Sequence, residues 1–122
     1  ANGIEGEHGG IIDHIVFYGP ALTDKGHTRN FVLCPDDAYD RSPCGTGSSA
    51  RLSCLAADNR LAPGEEIYQE STIGSGYTLS YQPGSKVGGI IPSITGQAFI
   101  TREAKMVVNP TDPLRHGVTL TV

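Results

Sequence analysis

Of the three cysteines in this chain, Cys34, Cys44 and Cys54, one lies where packing does not account for it. Cys44 stands in the run Asp40-Arg41-Ser42-Pro43-Cys44-Gly45-Thr46-Gly47, a string of turn formers directly ahead of the chain's one convincing helical pattern. The start of a helix presents unpaired backbone N–H groups and the positive end of the helix dipole, so it attracts anions. The same field favours a thiolate over a thiol. Gly45 and Gly47 would let a ligand carboxylate come close to the backbone, and the Thr46 hydroxyl adds a donor. Anion binding and thiolate chemistry therefore share one turn. Asp40, four residues before the thiol, could accept a proton or orient a ligand's ammonium group. The bland alternative for it is an Asx-turn in a loop.

Two other chemistries fit fragments of this run. Gly45-x-Gly47-x-x-Ala50 matches the dinucleotide fingerprint, and Glu65 and Glu66 lie about 20 residues on, where a ribose-binding acid belongs. That motif should follow directly on a buried strand and lead into a second parallel one. Here Asp40, Ser42 and Pro43 precede it and an antiparallel-looking series of short β runs follows, so the context fails. A Cys-His hydrolase could use Cys44 with His14, His27 or His116 as base. Any cysteine with any histidine would satisfy that pattern, so its specificity is poor.

The elements that must position Cys44 follow from periodicity and punctuation. Gly10 to Gly19 (GIIDHIVFYG) is rich in β-branched and aromatic residues between glycines, as a strand should be, and Phe31 to Cys34 is a second candidate. Pro35 to Pro43 is polar and turn-prone. Thr46 to Leu61 is predicted as a helix, with Leu52, Leu55, Ala56 and Leu61 near helical spacing and Pro63-Gly64 as a stop. Further short β runs follow at 67–70, 77–81, 87–94, 98–101, 106–108 and 118–122, separated by turn signals at Gly74, Pro83-Gly84 and Gly96. Cys34 and Cys54 are expected to be buried small hydrophobes. The fold class is α+β: a single helix buries its flanks only if a curved, mostly antiparallel sheet wraps it. The helix start, with Cys44, Gly45 and Thr46, then opens at one end of that lobe.

Size and charge narrow the partners. The chain has 122 residues, enough for one domain with a modest core, and a net charge of −4 from 13 acidic and 9 basic residues. It has no block of lysine and arginine of the kind that binds nucleic acid or an anionic membrane surface. The expected partner is a small molecule. An odd number of widely spaced cysteines fits neither a disulfide framework nor a zinc site. No run approaches the ~20 apolar residues of a membrane span, and the first residues lack a signal-peptide layout, so a cytoplasmic location is expected.

The run Asp40 to Ala50 (DRSPCGTGSSA) resembles the second cysteine motif of the proline racemase family, which includes 4-hydroxyproline 2-epimerases. The segments Ile12-Asp13-His14, Asn30 to Pro35, Leu61 to Ser75, Pro92 to Gly96 and Asp112 to Gly117 agree with it, so the resemblance covers nearly the whole chain. Ser48 stands where many members have threonine. The resemblance implies a diaminopimelate epimerase-like fold of two lobes, each a curved sheet around a central helix, with substrate between them. It also implies catalysis without cofactor or metal: two cysteines face opposite sides of the substrate α-carbon, one thiolate removing the proton while the other thiol donates. Cys44 would be the second of these. Gly45 and Thr46 would hold the substrate carboxylate, Asp40 would contact the ring nitrogen or support the thiol, and His14 would contact substrate. His116 reads as structural.

Nothing in the chain resembles the family's first cysteine motif. The expectation is therefore that residues 1–122 are one lobe, the C-terminal half of a two-lobed racemase or epimerase, and inactive alone. Its implied partners are the N-terminal lobe of the same enzyme and a proline or hydroxyproline substrate, with a homodimer compatible. A 3-hydroxyproline dehydratase of the same family and a non-catalytic carboxylate-binding lobe are the alternatives.

Overall fold

The computed structural model describes residues 3–118. Five strands form one curled, mixed sheet in chain order: β1 (Ile15–Gly19), β2 (Gly26–Leu33), β3 (Ile67–Glu70), β4 (Gly76–Pro83) and β5 (Ile90–Thr95). Neighbours run antiparallel except β2 and β3, which are parallel. A parallel pair needs a crossover connection, and the single helix α1 (Gly45–Ala57) lies in that connection. The expected α+β architecture, a curved and mostly antiparallel sheet with one helix, is the one observed.

The helix packs on β4 and β5 through Leu52 and Leu55, which join Leu61, Ile67, Leu79 and Tyr81 in the core. Tyr81 keeps its hydroxyl satisfied there by donating to the Leu61 carbonyl at 2.7 Å. On the other side of α1, the Arg51 guanidinium sits 3.8 Å above the Tyr18 ring, a cation–π contact that ties the helix to β1. Helix and strand are thereby tied to each other at the second helical turn.

Two buried polar residues stitch β3 to β2 and to the β1–β2 connection. Gln69, fully buried, donates to the Thr28 carbonyl at 2.7 Å and accepts from the Thr28 hydroxyl at 2.8 Å. Glu70, 1% exposed, accepts from the Leu22 N–H at 2.6 Å, the Thr23 N–H at 3.0 Å and the Thr23 hydroxyl. These donors hold its carboxyl below the ordinary glutamate range, the Thr23 hydroxyl contributing most. Gly26 permits the arrangement, because a Cβ there would lie 2.6 Å from Glu70 Oε1.

The structure corrects several expected boundaries. The helix ends at Ala57 rather than Leu61, because Asn59 adopts φ +54° and a Schellman closure forms: Arg60 N–H donates to Leu55 O at 2.8 Å and Asn59 N–H to Ala56 O at 3.1 Å. Leu61 is in the core, but beyond the helix. Cys54, expected to be buried, is exposed. Residues 10–14 are irregular and only Ile15–Gly19 is strand. The run 87–94 becomes strand only from Ile90, since Gly89 N–H closes a turn on Lys86 O at 2.9 Å. The runs 98–101 and 106–108 are not strands. Phe99, Ile100, Met106, Val107 and Val108 are all exposed, and among the described residues no strand pairs with them. The expected strand at 118–122 lies outside the described residues apart from Val118, which is not in a strand. Among the described residues no helix is long and apolar enough to cross a membrane.

Candidate active site

The β1–β2 hairpin brings the two ends of the site together. Val16 pairs with Val32 and Ile15 with Leu33, so Asp13 and His14, just ahead of β1, lie beside the end of β2. The chain then makes a tight excursion over Cys34 to Tyr39. Cys34 N–H donates to Ala38 O at 2.9 Å, and Asp40 N–H returns to Val32 O at 3.1 Å. That bond sets Asp40 next to the same strand end. Four residues on stands Cys44, and α1 begins with the next residue.

These pieces enclose a cleft of about 420 Å³ lined by Ile12, Asp13, His14, Val16, Val32, Asp40, Cys44, Thr46, Gly47 and Ala50. Four of the five residues anticipated from the sequence, His14, Asp40, Cys44 and Thr46, therefore share one wall-to-wall space. Gly45 does not line it: a Cβ at Gly45 would meet nothing within 4 Å, whereas one at Gly47 would lie 2.8 Å from Val16 Cγ2 and 3.4 Å from Cys44 Sγ. Gly47 is thus the glycine that keeps the cleft open. Apart from Asp13, the remaining lining is apolar, from Ile12, Val16, Val32 and Ala50, which suits a small ligand with a hydrocarbon ring or chain and a charged end.

Cys44 is the N-cap of α1, and its sulfur accepts the Gly47 N–H at 3.3 Å while its carbonyl accepts the Ser48 N–H at 3.0 Å. A cysteine in this role is unusual, and so is its backbone, at φ 66° and ψ 120°. Such conformations cost on the order of 1–3 kcal/mol in a residue with a Cβ and persist only where the surroundings enforce them. Here the surroundings are specific. The Cys44 N–H donates to Ser42 Oγ at 3.1 Å, and the preceding carbonyl, Pro43 O, accepts from Asn30 Nδ2 at 3.2 Å and Ser48 Oγ at 3.3 Å.

His14 is oriented by its neighbour: its Nδ1 meets Asp13 Oδ1 at 2.6 Å. This bond, more than any other influence, holds the Asp13 carboxyl below its ordinary range. With Asp13 ionised, His14 Nδ1 carries the shared proton and Nε2 is left for a ligand. Cys34 has its thiol pushed up, first by burial and then by the charges of Asp40, Cys44 and Asp13, against a smaller opposing pull from the Asp40 backbone N–H. It stays a neutral, half-buried thiol, in keeping with a packing role. Of the alternative bases, His27 is outside the cleft and is pushed down first by burial and then by Arg51 and Arg60. His116 is exposed and also outside it. Among the described residues no three His, Cys, Asp or Glu side chains are grouped so as to hold a metal ion.

Sequence reasoning missed the supports of the site. Asp13 is signalled only by its adjacency to His14. Asn30 is a polar residue in an apolar strand, 1% exposed, and that mismatch was the available clue. Ser48 is fully buried one turn into α1, indistinguishable in sequence from half-buried Ser49.

The family model described as Proline racemase matches residues 1–119. The 4-hydroxyproline 2-epimerase of Roseibium aggregatum is 59% identical over 118 residues, a match covering 97% of this chain and 38% of that protein. The 4-hydroxyproline 2-epimerase of Ruegeria pomeroyi is 58% identical, with 97% and 37% covered. A crystal structure of a hydroxyproline epimerase from Agrobacterium vitis, with bound trans-4-hydroxy-L-proline, superposes with a TM-score of 0.66 at 34% identity, covering 88% of this chain and 31% of that one. The chain thus spans somewhat over a third of the length of the relatives it matches.

Proposed function

This chain belongs to the proline racemase family, and on that premise we propose that it is one lobe of a 4-hydroxyproline 2-epimerase, supplying one of two proton-transfer thiols. The observation that carries the reading is the meeting of Cys44, Thr46, Asp40 and His14 in one cleft at the start of α1. The curated relatives named as 4-hydroxyproline 2-epimerases support the substrate class.

In this reading the substrate carboxylate docks at the first turn of α1, against the N–H groups there and the Thr46 hydroxyl, where the helix dipole favours negative charge. The apolar wall of Val16, Val32 and Ala50 receives the ring carbons. Asp40 faces the ring nitrogen, and His14, held by Asp13, presents Nε2 to the substrate hydroxyl. The Cα–H bond then points at one thiol. As a thiolate, Cys44 takes that proton and becomes a thiol, while the electron pair moves into the carboxylate. The opposing thiol, from the remainder of the protein, delivers its proton to the other face of Cα and is left as the thiolate. The configuration inverts with no net change in protons, and the reverse reaction exchanges the two roles. No cofactor or metal enters this scheme. A cytoplasmic location belongs to the same reading.

The test is a chimera in which this chain replaces the matching segment of the Roseibium aggregatum relative, incubated with trans-4-hydroxy-L-proline in D₂O. Inversion at Cα with incorporation of one deuterium is expected, and Cys44→Ser should abolish it. In a parallel incubation with trans-3-hydroxy-L-proline, whose hydroxyl lies on the carbon next to Cα, formation of a pyrroline with loss of water would instead establish a dehydratase. Binding without exchange would leave only a carboxylate-binding lobe.

A further inference from the structure

The buried polar contacts around Pro43 and Cys44 lead beyond the cleft lining. We infer that Asn30 and Ser48 are positioning residues: together they clamp the Pro43 carbonyl and thereby hold Cys44 in the backbone conformation that aims its sulfur into the cleft. The inference rests on the reading of Cys44 as the reacting thiol.

Four contacts engage the peptide unit joining Pro43 to Cys44 and the residue that follows it. Pro43 O accepts from Asn30 Nδ2 at 3.2 Å and from Ser48 Oγ at 3.3 Å. The N–H of the same peptide donates to Ser42 Oγ at 3.1 Å, and Cys44 O accepts the Ser48 N–H at 3.0 Å. Ser48 therefore grips Cys44 from both sides, with its hydroxyl on the preceding carbonyl and its amide on the following one. Asn30 and Ser48 are 1% and 0% exposed, so water does not compete for these bonds.

Asn30 makes the stronger case that the arrangement serves something beyond stability. It sits on β2 opposite Tyr18, at a depth where strands carry apolar side chains, and its Oδ1 is buried with no partner. An amide half-satisfied in a core is a standing cost that a leucine of similar size would remove. Turning the amide over would place oxygen against oxygen at Pro43, so the observed orientation is the one in which Asn30 donates. The group it holds precedes a non-glycine residue at φ 66°, a conformation that relaxes unless enforced. If the peptide rotates, Sγ leaves its place 3.3 Å from the Gly47 N–H. A displacement of about 1 Å in a reacting group can cost around a hundredfold in rate.

The experiment compares Ser48→Ala, Ser48→Thr, Asn30→Ala and the double alanine variant. Turnover is measured in the chimera described above. In the 122-residue chain, the rate of iodoacetamide alkylation at Cys44 is measured by peptide mass spectrometry against exposed Cys54 in the same molecule. We expect kcat to fall about tenfold in each alanine variant and about a hundredfold in the double, with KM held within about threefold because Thr46 and Gly47 stay in place. The Cys44-to-Cys54 alkylation ratio should fall at least about threefold in the double variant as the Gly47 N–H contact is lost. Ser48→Thr, which keeps the hydroxyl, should retain turnover. The inference is overturned if the alkylation ratio and kcat are unchanged in the double variant, if melting falls while kcat holds, or if Ser48→Thr behaves as Ser48→Ala. Should Asn30→Ala not fold, the two Ser48 variants decide the matter. A chimera that exchanges no α-proton even unsubstituted would defeat the functional reading, while the alkylation ratio would still judge the clamp.

Discussion

Replacing Gly47 by alanine separates the architecture of the cleft from the stability of the lobe. Alanine is favoured over glycine inside a helix by about 0.8–1 kcal/mol. Against this, the new Cβ would stand 2.8 Å from Val16 Cγ2, 3.4 Å from Cys44 Sγ and 3.5 Å from Cys44 Cβ. Val16 is half-buried on β1 and β-branched, so it escapes by leaving its preferred rotamer, at roughly 0.5–1.5 kcal/mol. The two effects nearly cancel. The melting temperature of the 122-residue chain should therefore move by no more than about 5 °C in either direction. The cleft does not escape so lightly, because the added methyl occupies the floor beside the sulfur, where the ligand carboxylate is to dock. In the chimera, KM for trans-4-hydroxy-L-proline should rise at least tenfold, equivalent to about 1.4 kcal/mol of lost binding. Differential scanning calorimetry and an α-deuterium exchange assay measure the two quantities independently. An unchanged melt with unchanged KM would refute the assignment of this turn as the carboxylate site. A collapsed melt would refute the cancellation.

Three further outcomes follow from the packing and the charges. Leu52→Ala empties a fully buried position between α1 and β4, and should cost about 2–5 kcal/mol, read from the shift of a urea midpoint. Glu70 has a folded pKa below its ordinary value of 4.5, so the stability it confers is complete above that value and drains away as pH falls through the lower folded value. In Glu70→Gln the acid limb of a stability-versus-pH curve should flatten below about pH 4.5, and an unchanged limb would count against the three donors as its cause. Cys54→Ser, on the exposed face of α1, should leave stability within about 0.5 kcal/mol and turnover unchanged, measured by the same urea and exchange assays.

The sequence by itself determined the chemistry-bearing turn. The Asp40 to Gly47 run, with a thiol among turn formers ahead of one helical pattern, was enough to place Cys44 at a helix start, and the structure puts it at the N-cap. Alternation and glycine punctuation likewise disclosed β3 and most of β4, because each is short and bounded by turns. Where a strand depends on a partner edge, local pattern overshot. The apolar runs at 98–101 and 106–108 have β composition but no neighbouring strand among the described residues. Leu61 matched the helix period and belongs to the core from beyond the helix, because Asn59 turned the chain first.

What only the tertiary structure decided is which distant residues meet at Cys44. The register of β1 on β2 brings Asp13 and His14 to the strand end, and one backbone bond from Asp40 to Val32 sets Asp40 there as well. It also decided that Gly47 rather than Gly45 faces the cleft, since helical positions two apart point about 200° from each other, to nearly opposite sides. The grip of Asn30 and Ser48 on Pro43 joins a strand to a helix across 13 and 5 residues of chain. Such a contact leaves no period or spacing to read, because it exists only once burial has removed water and made an unpaired carbonyl costly.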